Sequence, residues 1–300
     1  MRTWSNFIKE KKIFLNNEKI VKKNSKILSF GSCFAVEIRK RLRSLELNVM
    51  PDYSKFEIDN KKFRVGNLPV RDNINHYNTY TILYEFLRFE SQFTQNENDY
   101  WEVEDLWFNG KIAYQDPYRR AVYGKTKKIL IEITKKIDQE IKKSIEEAEI
   151  IVITLGLTEV WIKNNNNMIC CMNPGYAGGG GFEETKFYSS DYDENLNNLR
   201  EIMNIINRKR IKSKVIFTVS PVPLGATFRK MDVVIANEES KSILRVAAAQ
   251  IEKEYENAYY FPAYEMCKYS NNVYKEDGRH IKPEMVNKIV DVFRLNFFET

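Results

Sequence analysis

Two short stretches carry residue types that could do chemistry together. Gly31-Ser32-Cys33 follows the apolar run KILSF (26–30), and Asp277-Gly278-Arg279-His280 precedes Pro283 and a second apolar-periodic segment. A hydroxyl and a thiol side by side at a strand end offer two candidate nucleophiles, Ser32 and Cys33. A strand–Gly–nucleophile–helix turn lifts a side chain above the sheet and aims the first N–H groups of the helix at any oxyanion formed there. A helix start also favours a thiolate, so the thiol pKa is expected below its free value. Asp277 and His280 at a helix entrance can hydrogen-bond each other. The carboxylate would fix the imidazole tautomer while the other ring nitrogen faces the nucleophile. The chain has only two histidines, His76 and His280, so any histidine chemistry must use one of them.

The elements that must position these residues are legible as alternating periodicities. KILSF reads as a buried strand, and Phe34, Ile38, Leu42 and Leu45 then recur at helical spacing. Residues 126–147 form a long amphipathic helix with Ile133, Ile137, Ile141 and Ile145 on one stripe. EIIVITLG (149–156) and KVIFTVSP (214–221) are near-continuous apolar runs, which fit strands covered on both faces. Helical stripes follow at Leu196, Leu199, Met203 and Ile206 and at Ile243, Leu244, Ala247 and Ile251. NAYYFPAYE (257–265) is a last strand, and Val286, Ile289, Val290 and Phe293 mark a C-terminal helix. Strand–helix alternation predicts an α/β fold, a three-layer α/β/α sandwich with a central parallel sheet and right-handed crossovers. No repeat or composition break divides residues 1–300, so one domain is expected. Residues 95–125 and 163–190 break the rhythm and are expected as insertions over the carboxyl edge of the sheet, where such folds keep their sites.

Bulk composition narrows the classes. The 300 residues carry 47 basic and 41 acidic side chains, a net charge of +6 spread along the chain, which mildly favours an anionic partner and otherwise describes a solvated surface. The basic residues are dispersed and no RNA-binding motif is present, so nucleic acid is not an expected partner. No stretch reaches the roughly 18 apolar residues of a membrane span, and no signal-peptide core opens the chain. Cys33, Cys170, Cys171 and Cys267 form no C-x-x-C pair and show no zinc spacing, so they read as reduced thiols of a cytoplasmic protein, with no metal. Cys170 and Cys171 read as strand packing. GGGG at 178–181 has no Gly-Lys-Ser/Thr after it and is not a phosphate loop; it is either a flexible lid or a surface loop.

FGSCFA (30–35) resembles the signature of the GSCFA family. HYNTYTILYEF (76–86), VITLGLTEVW (152–161), FTVSPVPL (217–224), SKSILRVAAAQ (240–250) and EDGRHIKPE (276–284) resemble further blocks of it, in order, over roughly residues 25–295. That family is similar in turn to the SGNH, or GDSL-like, hydrolases, which are acyl-ester hydrolases and acyltransferases on a three-layer α/β fold. In that superfamily the nucleophile stands two residues after the glycine, the position of Cys33 here, while Ser32 falls where the aspartate would be. The late Asp-x-x-His matches Asp277 and His280. The Gly-x-Asn-Asp block matches Gly156-Leu157-Thr158-Glu159 loosely, with Thr158 in the place of an oxyanion-hole asparagine. Asn78 is the alternative amide donor.

The resemblance implies acyl transfer through a covalent intermediate on Cys33, with the oxyanion held by the Cys33 N–H, Gly156 and either Asn78 or Thr158. The substrate would be a small molecule or glycan, such as a polysaccharide precursor. No cofactor is required, and acyl-CoA is a possible acyl donor. His76, Glu159, Arg119 and Arg120 are candidate substrate contacts. For His76 a structural hydrogen bond is an equal reading, and for the arginines a solvated loop is the favoured one. A Ser32-dependent esterase and an inactive carbohydrate-binding protein on the same fold remain open.

Overall fold

The apolar runs become the centre of a parallel sheet. In the computed structural model, residues 3–10, 13, 15, 18–53, 56, 63–65, 74–105, 111–174, 183–209 and 212–299 are described. The first half of the chain runs α1 (Trp4–Glu10), β1 (Ile27–Gly31), α2 (Cys33–Ser44), β2 (Val49–Met50), β3 (Phe63–Val65), α3 (Thr79–Phe89), β4 (Trp101–Asp105), β5 (Lys111–Gln115) and β6 (Val122–Gly124). The second half runs α4 (Lys127–Glu147), β7 (Ile150–Leu155), β8 (Glu159–Lys163), β9 (Thr185–Ser189), α5 (Tyr192–Arg208), β10 (Lys214–Val219), α6 (Val233–Glu254), β11 (Ala258–Tyr260), α7 (Ala263–Lys268) and α8 (Pro283–Phe297).

Five strands pair in the order β11-β10-β7-β1-β2, every pair parallel. β1, β7 and β10 are adjacent, with Gly31 beside Thr154 and Thr154 beside Thr218. Because the strands are parallel, their carboxyl ends share one edge. Two apolar clusters cover the sheet. One joins Leu28, Phe30 and Phe217 to α4 (Ile133, Ile137, Ile141), α5 (Leu199, Met203) and α6 (Leu244, Ile251). The other joins Ile27, Ile150 and Ile216 to α2 (Phe34, Leu42), α7 (Met266) and α8 (Ile289, Phe293). The expected α/β/α layering is therefore present. The edge strand β2 went unanticipated because two residues are too short to show a period.

The two irregular segments are built antiparallel. Residues 95–125 supply β4, β5 and β6 of a four-stranded sheet ordered β3-β6-β5-β4. Residues 163–190 supply β9, which pairs with β8; the GGGG run lies outside the described residues. Cys170 and Cys171 are buried but not in strands. Their N–H groups donate to the carbonyls of Trp161 and Pro117, both at 2.8 Å, and the Cys170 side chain packs against Trp101, Val103, Ala113 and Tyr123 of the antiparallel sheet. Among the described residues no helix is long and apolar enough to cross a membrane.

Candidate active site

The strand ends make the site. β1 finishes at Gly31, whose φ of +141° is a conformation that L side chains rarely adopt. A Cβ there would also lie 2.6 Å from Thr154 Cβ on β7. Glycine thus lets β1 turn sharply beside its neighbour. Ser32 is the N-cap of α2 and Cys33 its first residue. Ser32 is 3% exposed, with its hydroxyl 3.3 Å from that of Ser220, which follows β10. Cys33 is half-buried. After β7, Gly156 passes so close to the preceding chain that a Cβ would lie 2.4 Å from the Tyr77 carbonyl oxygen.

These three strand ends open on one cavity of about 360 Å³, whose wall includes Ser32, Cys33, Gly156, Arg120, Lys241 and His280. His280 arrives on the turn before α8. Its Nδ1 bonds Asp277 Oδ2, while Asp277 Oδ1 accepts the backbone N–H groups of Arg279 and His280, each at 2.9 Å. The His280 bond, helped by those two amides, holds the Asp277 carboxyl well below the usual carboxylate range. The imidazole is thus oriented through Nδ1, and no bond to Nε2 is present among the described residues. That is the arrangement expected of a general base.

The thiol does not follow the expectation of a lowered pKa. Burial pushes Cys33 up, and this outweighs Arg120, Arg279, the Phe34 N–H and Lys241, all of which pull it down. The helix start is present, but it acts on a sulfur largely removed from water, and desolvation penalises the charged form.

Several expected site residues are placed elsewhere. Asn78 caps α3: its Oδ1 accepts the Thr81 N–H at 3.0 Å and its Nδ2 donates to the Cys170 carbonyl at 2.8 Å. Thr158 is 1% exposed and its N–H donates to Ser240 Oγ at 3.0 Å. Neither belongs to the cavity wall. His76 and Arg119 are likewise outside the cavity wall, both buried in one ion network. His76 Nε2 lies 2.7 Å from Glu85 Oε1, and Arg119 donates to both Glu85 oxygens, at 2.7 and 2.5 Å, and to Asp138 at 2.6 Å. Burial drives this pairing, since Glu85 and Arg119 have no exposed side-chain surface. Glu159 does line the cavity, but its carboxylate accepts the Thr227 hydroxyl at 2.6 Å, the Phe228 N–H at 3.2 Å and Arg229 Nε at 3.1 Å. It fixes the loop after β10 as part of the wall. Arg120 lines the cavity.

The wall residues not picked out from sequence include Ser220, Lys241 and Arg279. Ser220 carries the same signal as Gly31 and Gly156, a small residue closing an apolar strand. Lys241 sits on the apolar stripe of α6, with Leu244 and Ala248, where a lysine is out of pattern. Its Nζ donates to the carbonyls of Gly156 at 2.6 Å and Val222 at 3.0 Å, and burial lowers its pKa to about 7.

Comparison with known proteins agrees with the motif blocks. None of the curated proteins matches this chain. Among solved structures, one from Streptococcus pneumonia, described as a candidate platelet activating factor, is 12% identical with a TM-score of 0.43, covering 90% of this chain and 84% of its own. A serine-to-alanine variant of an acetyl esterase, solved with an acetate ion, is 9% identical with a TM-score of 0.38, covering 90% and 97%. Both are remote likenesses. The family model of the GSCFA family, by contrast, matches residues 26–293, which takes in both FGSCFA and the Asp277–His280 turn, and the chain belongs to the GSCFA family.

Proposed function

We propose that this chain is an acyl-ester hydrolase or O-acyltransferase that works through a thioester on Cys33. The observation that carries the reading is that Cys33, at the helix start, and His280, oriented by Asp277, line one cavity. His280 Nε2 takes the thiol proton as Cys33 Sγ attacks the ester carbonyl. The negative charge moves to the carbonyl oxygen, which faces the N–H groups at the start of α2 and the Gly156 turn. Collapse of that intermediate breaks the bond to the alcohol oxygen, and His280 returns the proton to the leaving alcohol. Water, or an acceptor hydroxyl, then gives its proton to His280 and attacks the thioester, which releases Cys33. Water makes the chain a hydrolase and a sugar hydroxyl makes it a transferase; an acyl-CoA could serve as donor.

Two observations bear on the chemistry. The raised Cys33 pKa makes a base near the thiol necessary, because little thiolate forms unaided at neutral pH. The Trp161 and Phe228 rings, 5.0 Å apart and edge to face, give the cavity an apolar wall that suits an acyl group or the face of a sugar.

The test is an acyl-enzyme trap. Wild type treated with 4-nitrophenyl acetate is expected to gain one acetyl group, located by peptide mass on Cys33. The adduct should be absent in Cys33→Ala and slower to form in His280→Ala. An adduct on Ser32 would replace the cysteine mechanism with a serine one. No adduct from any activated ester, with Cys33 intact, would leave the fold as a binding scaffold.

A further inference from the structure

Three cationic side chains line the cavity of the candidate nucleophile, and among the described residues the carboxylates of Glu159 and Asp277 are already engaged. Arg120, Arg279 and Lys241 all line the cavity, and all three act on the Cys33 thiol in the sense of positive charge. They come from separate parts of the chain: the turn before β6, the turn before α8, and the middle of α6. The acidic member of the wall, Glu159, is paired with Arg229. Asp277 is paired with His280. Among the described residues, Arg279 and Lys241 meet backbone carbonyls rather than carboxylates, and burying charge without a counter-charge is costly for an empty pocket. An arriving anion would offset that cost.

Arg279 is the most deliberately placed of the three. Its guanidinium lies across Gly225, where a Cβ would sit 2.9 Å from both Cζ and Nη1. Nη2 donates to the Pro223 carbonyl at 3.3 Å, and Nε is buried without a partner. The loop after β10 therefore leaves room for this side chain at a residue without a Cβ, while one of its donors remains unused. Arg279 also adjoins His280 in sequence, so the charge is delivered beside the proposed base.

We infer that the substrate of this cavity is an anion: an acyl ester or acyl acceptor that carries a carboxylate or phosphate group, held by Arg279 and Arg120 next to Cys33. Lys241 adds to the same field from below the cavity. The guanidinium fork suits a planar or tetrahedral oxyanion by two parallel hydrogen bonds. A neutral acyl ester would gain nothing from that part of the wall. The inference rests on the reading of this cavity as the acyl-transfer site, but it is tested without acyl transfer.

The experiment compares alkylation of Cys33 by iodoacetate, an anion, and iodoacetamide, its neutral analogue, in the full chain at low salt. The ratio of the two rates cancels the thiolate fraction. It is expected to exceed that of a neutral cysteine peptide by about tenfold, the lower end of electrostatic focusing, and to fall as salt is raised. Arg279→Gln and Arg120→Gln should each lower it. A ratio equal to that of the peptide would overturn the inference. Should neither reagent reach Cys33, thermal shift decides. Inorganic phosphate or glucuronate is expected to raise the Tm of wild type more than that of Arg279→Gln, at matched ionic strength. The stronger of the two identifies the anionic group, and no shift from either would overturn the inference. Anion selectivity without an acetyl adduct would retain an anion site and refute acyl transfer; an adduct without selectivity would do the reverse.

Discussion

His76 and Glu85 meet inside the molecule, with 3% and 0% of their side chains exposed, whereas His280, which lines the cavity, meets Asp277 at the surface, 50% and 48% exposed. Both are histidine–carboxylate pairs joined through one ring nitrogen, and the chain has no other histidines. Their surroundings separate them. Glu85 is encircled by Arg119, Arg88 and His76, which hold it well below its ordinary range despite burial. Burial and the two arginines keep His76 neutral by lowering its pKa, against the pull of Glu85. Such a pair changes protonation only at a cost in folding. The outer pair is joined through Nδ1 and stands open to solvent, as the general base of the proposed mechanism requires. Pair geometry is common to both; access to solvent and to the cavity distinguishes them.

The largest effect expected of breaking this contrast falls on rate. His280→Ala should lower kcat/KM for an activated acyl ester by about 10²–10⁴, the usual worth of a positioned acid–base group. Its Tm should stay close to wild type, because the side chain is half exposed. His76→Ala should do the reverse. Measuring both parameters on both variants checks the division. If His280→Ala unfolds the protein, or if His76→Ala alone removes activity, the roles of the pairs are exchanged.

The next effect falls on stability. Glu85→Gln takes from buried Arg119 its fully buried carboxylate partner and leaves it only the partly exposed Asp138, and breaking a buried pair costs about 3–5 kcal/mol. At about 2–4 °C per kcal/mol, the melting temperature should drop by on the order of 10 °C. Denaturant unfolding gives the energy directly. A loss below about 1 kcal/mol would mean that Arg88 and Asp138 already balance the site without Glu85.

A smaller effect lies in pH dependence. Glu85 is lowered from 4.5 and His76 from 6.5 in the folded chain, so the unfolded chain binds more protons at both positions. Stability should therefore fall as pH drops below about 6.5 and fall further below about 4.5. Buried Asp116, raised by desolvation, runs the other way. The difference between wild type and variant isolates each term: His76→Gln should flatten the upper part of the profile, and Glu85→Gln the lower. Parallel profiles for all three would show that neither group titrates with unfolding.

Much of this frame was legible in the sequence. The runs ILSF, IIVITL and VIFTV became adjacent strands because a strand buried on both faces has to be apolar throughout, and the Asp277–His280 contact followed from the two residues sharing one turn. What stayed hidden depends on long-range packing. Nothing local shows that Arg119 turns inward to Glu85 while its neighbour Arg120 turns to the cavity, since both stand in the same PYRR stretch. Asn78 shows the same limit: an Asn before a helix reads equally as a cap or as a free amide, and only the fold brings the Cys170 carbonyl to its amide. The rise in the Cys33 pKa was invisible too, because a helix start is a sequence feature and the burial of the sulfur is not.

Lys241 combines the two halves of the comparison, buried like Glu85 yet in the cavity wall like His280. Its pKa is lowered by burial from 10.5 to about 7. Between those values the unfolded chain binds the proton and the folded chain does not, so stability gained by shedding it rises with pH across that window. Below pH 7 the full cost of burying the ammonium is present. Lys241→Met removes that cost but strips the Gly156 and Val222 carbonyls of their donor, a loss of about 1–3 kcal/mol. The stability of the Met variant relative to wild type should therefore be highest near pH 7 and decline toward pH 10, while its Cys33 becomes harder to ionise for want of a nearby cation. Unfolding curves at several pH values, paired with alkylation rates, read both effects. A difference that stays flat with pH would mean that the amine keeps its proton throughout, fixed by its two carbonyls. Lys241 would then belong with Glu85, as a charge the fold has closed off rather than one the site can use.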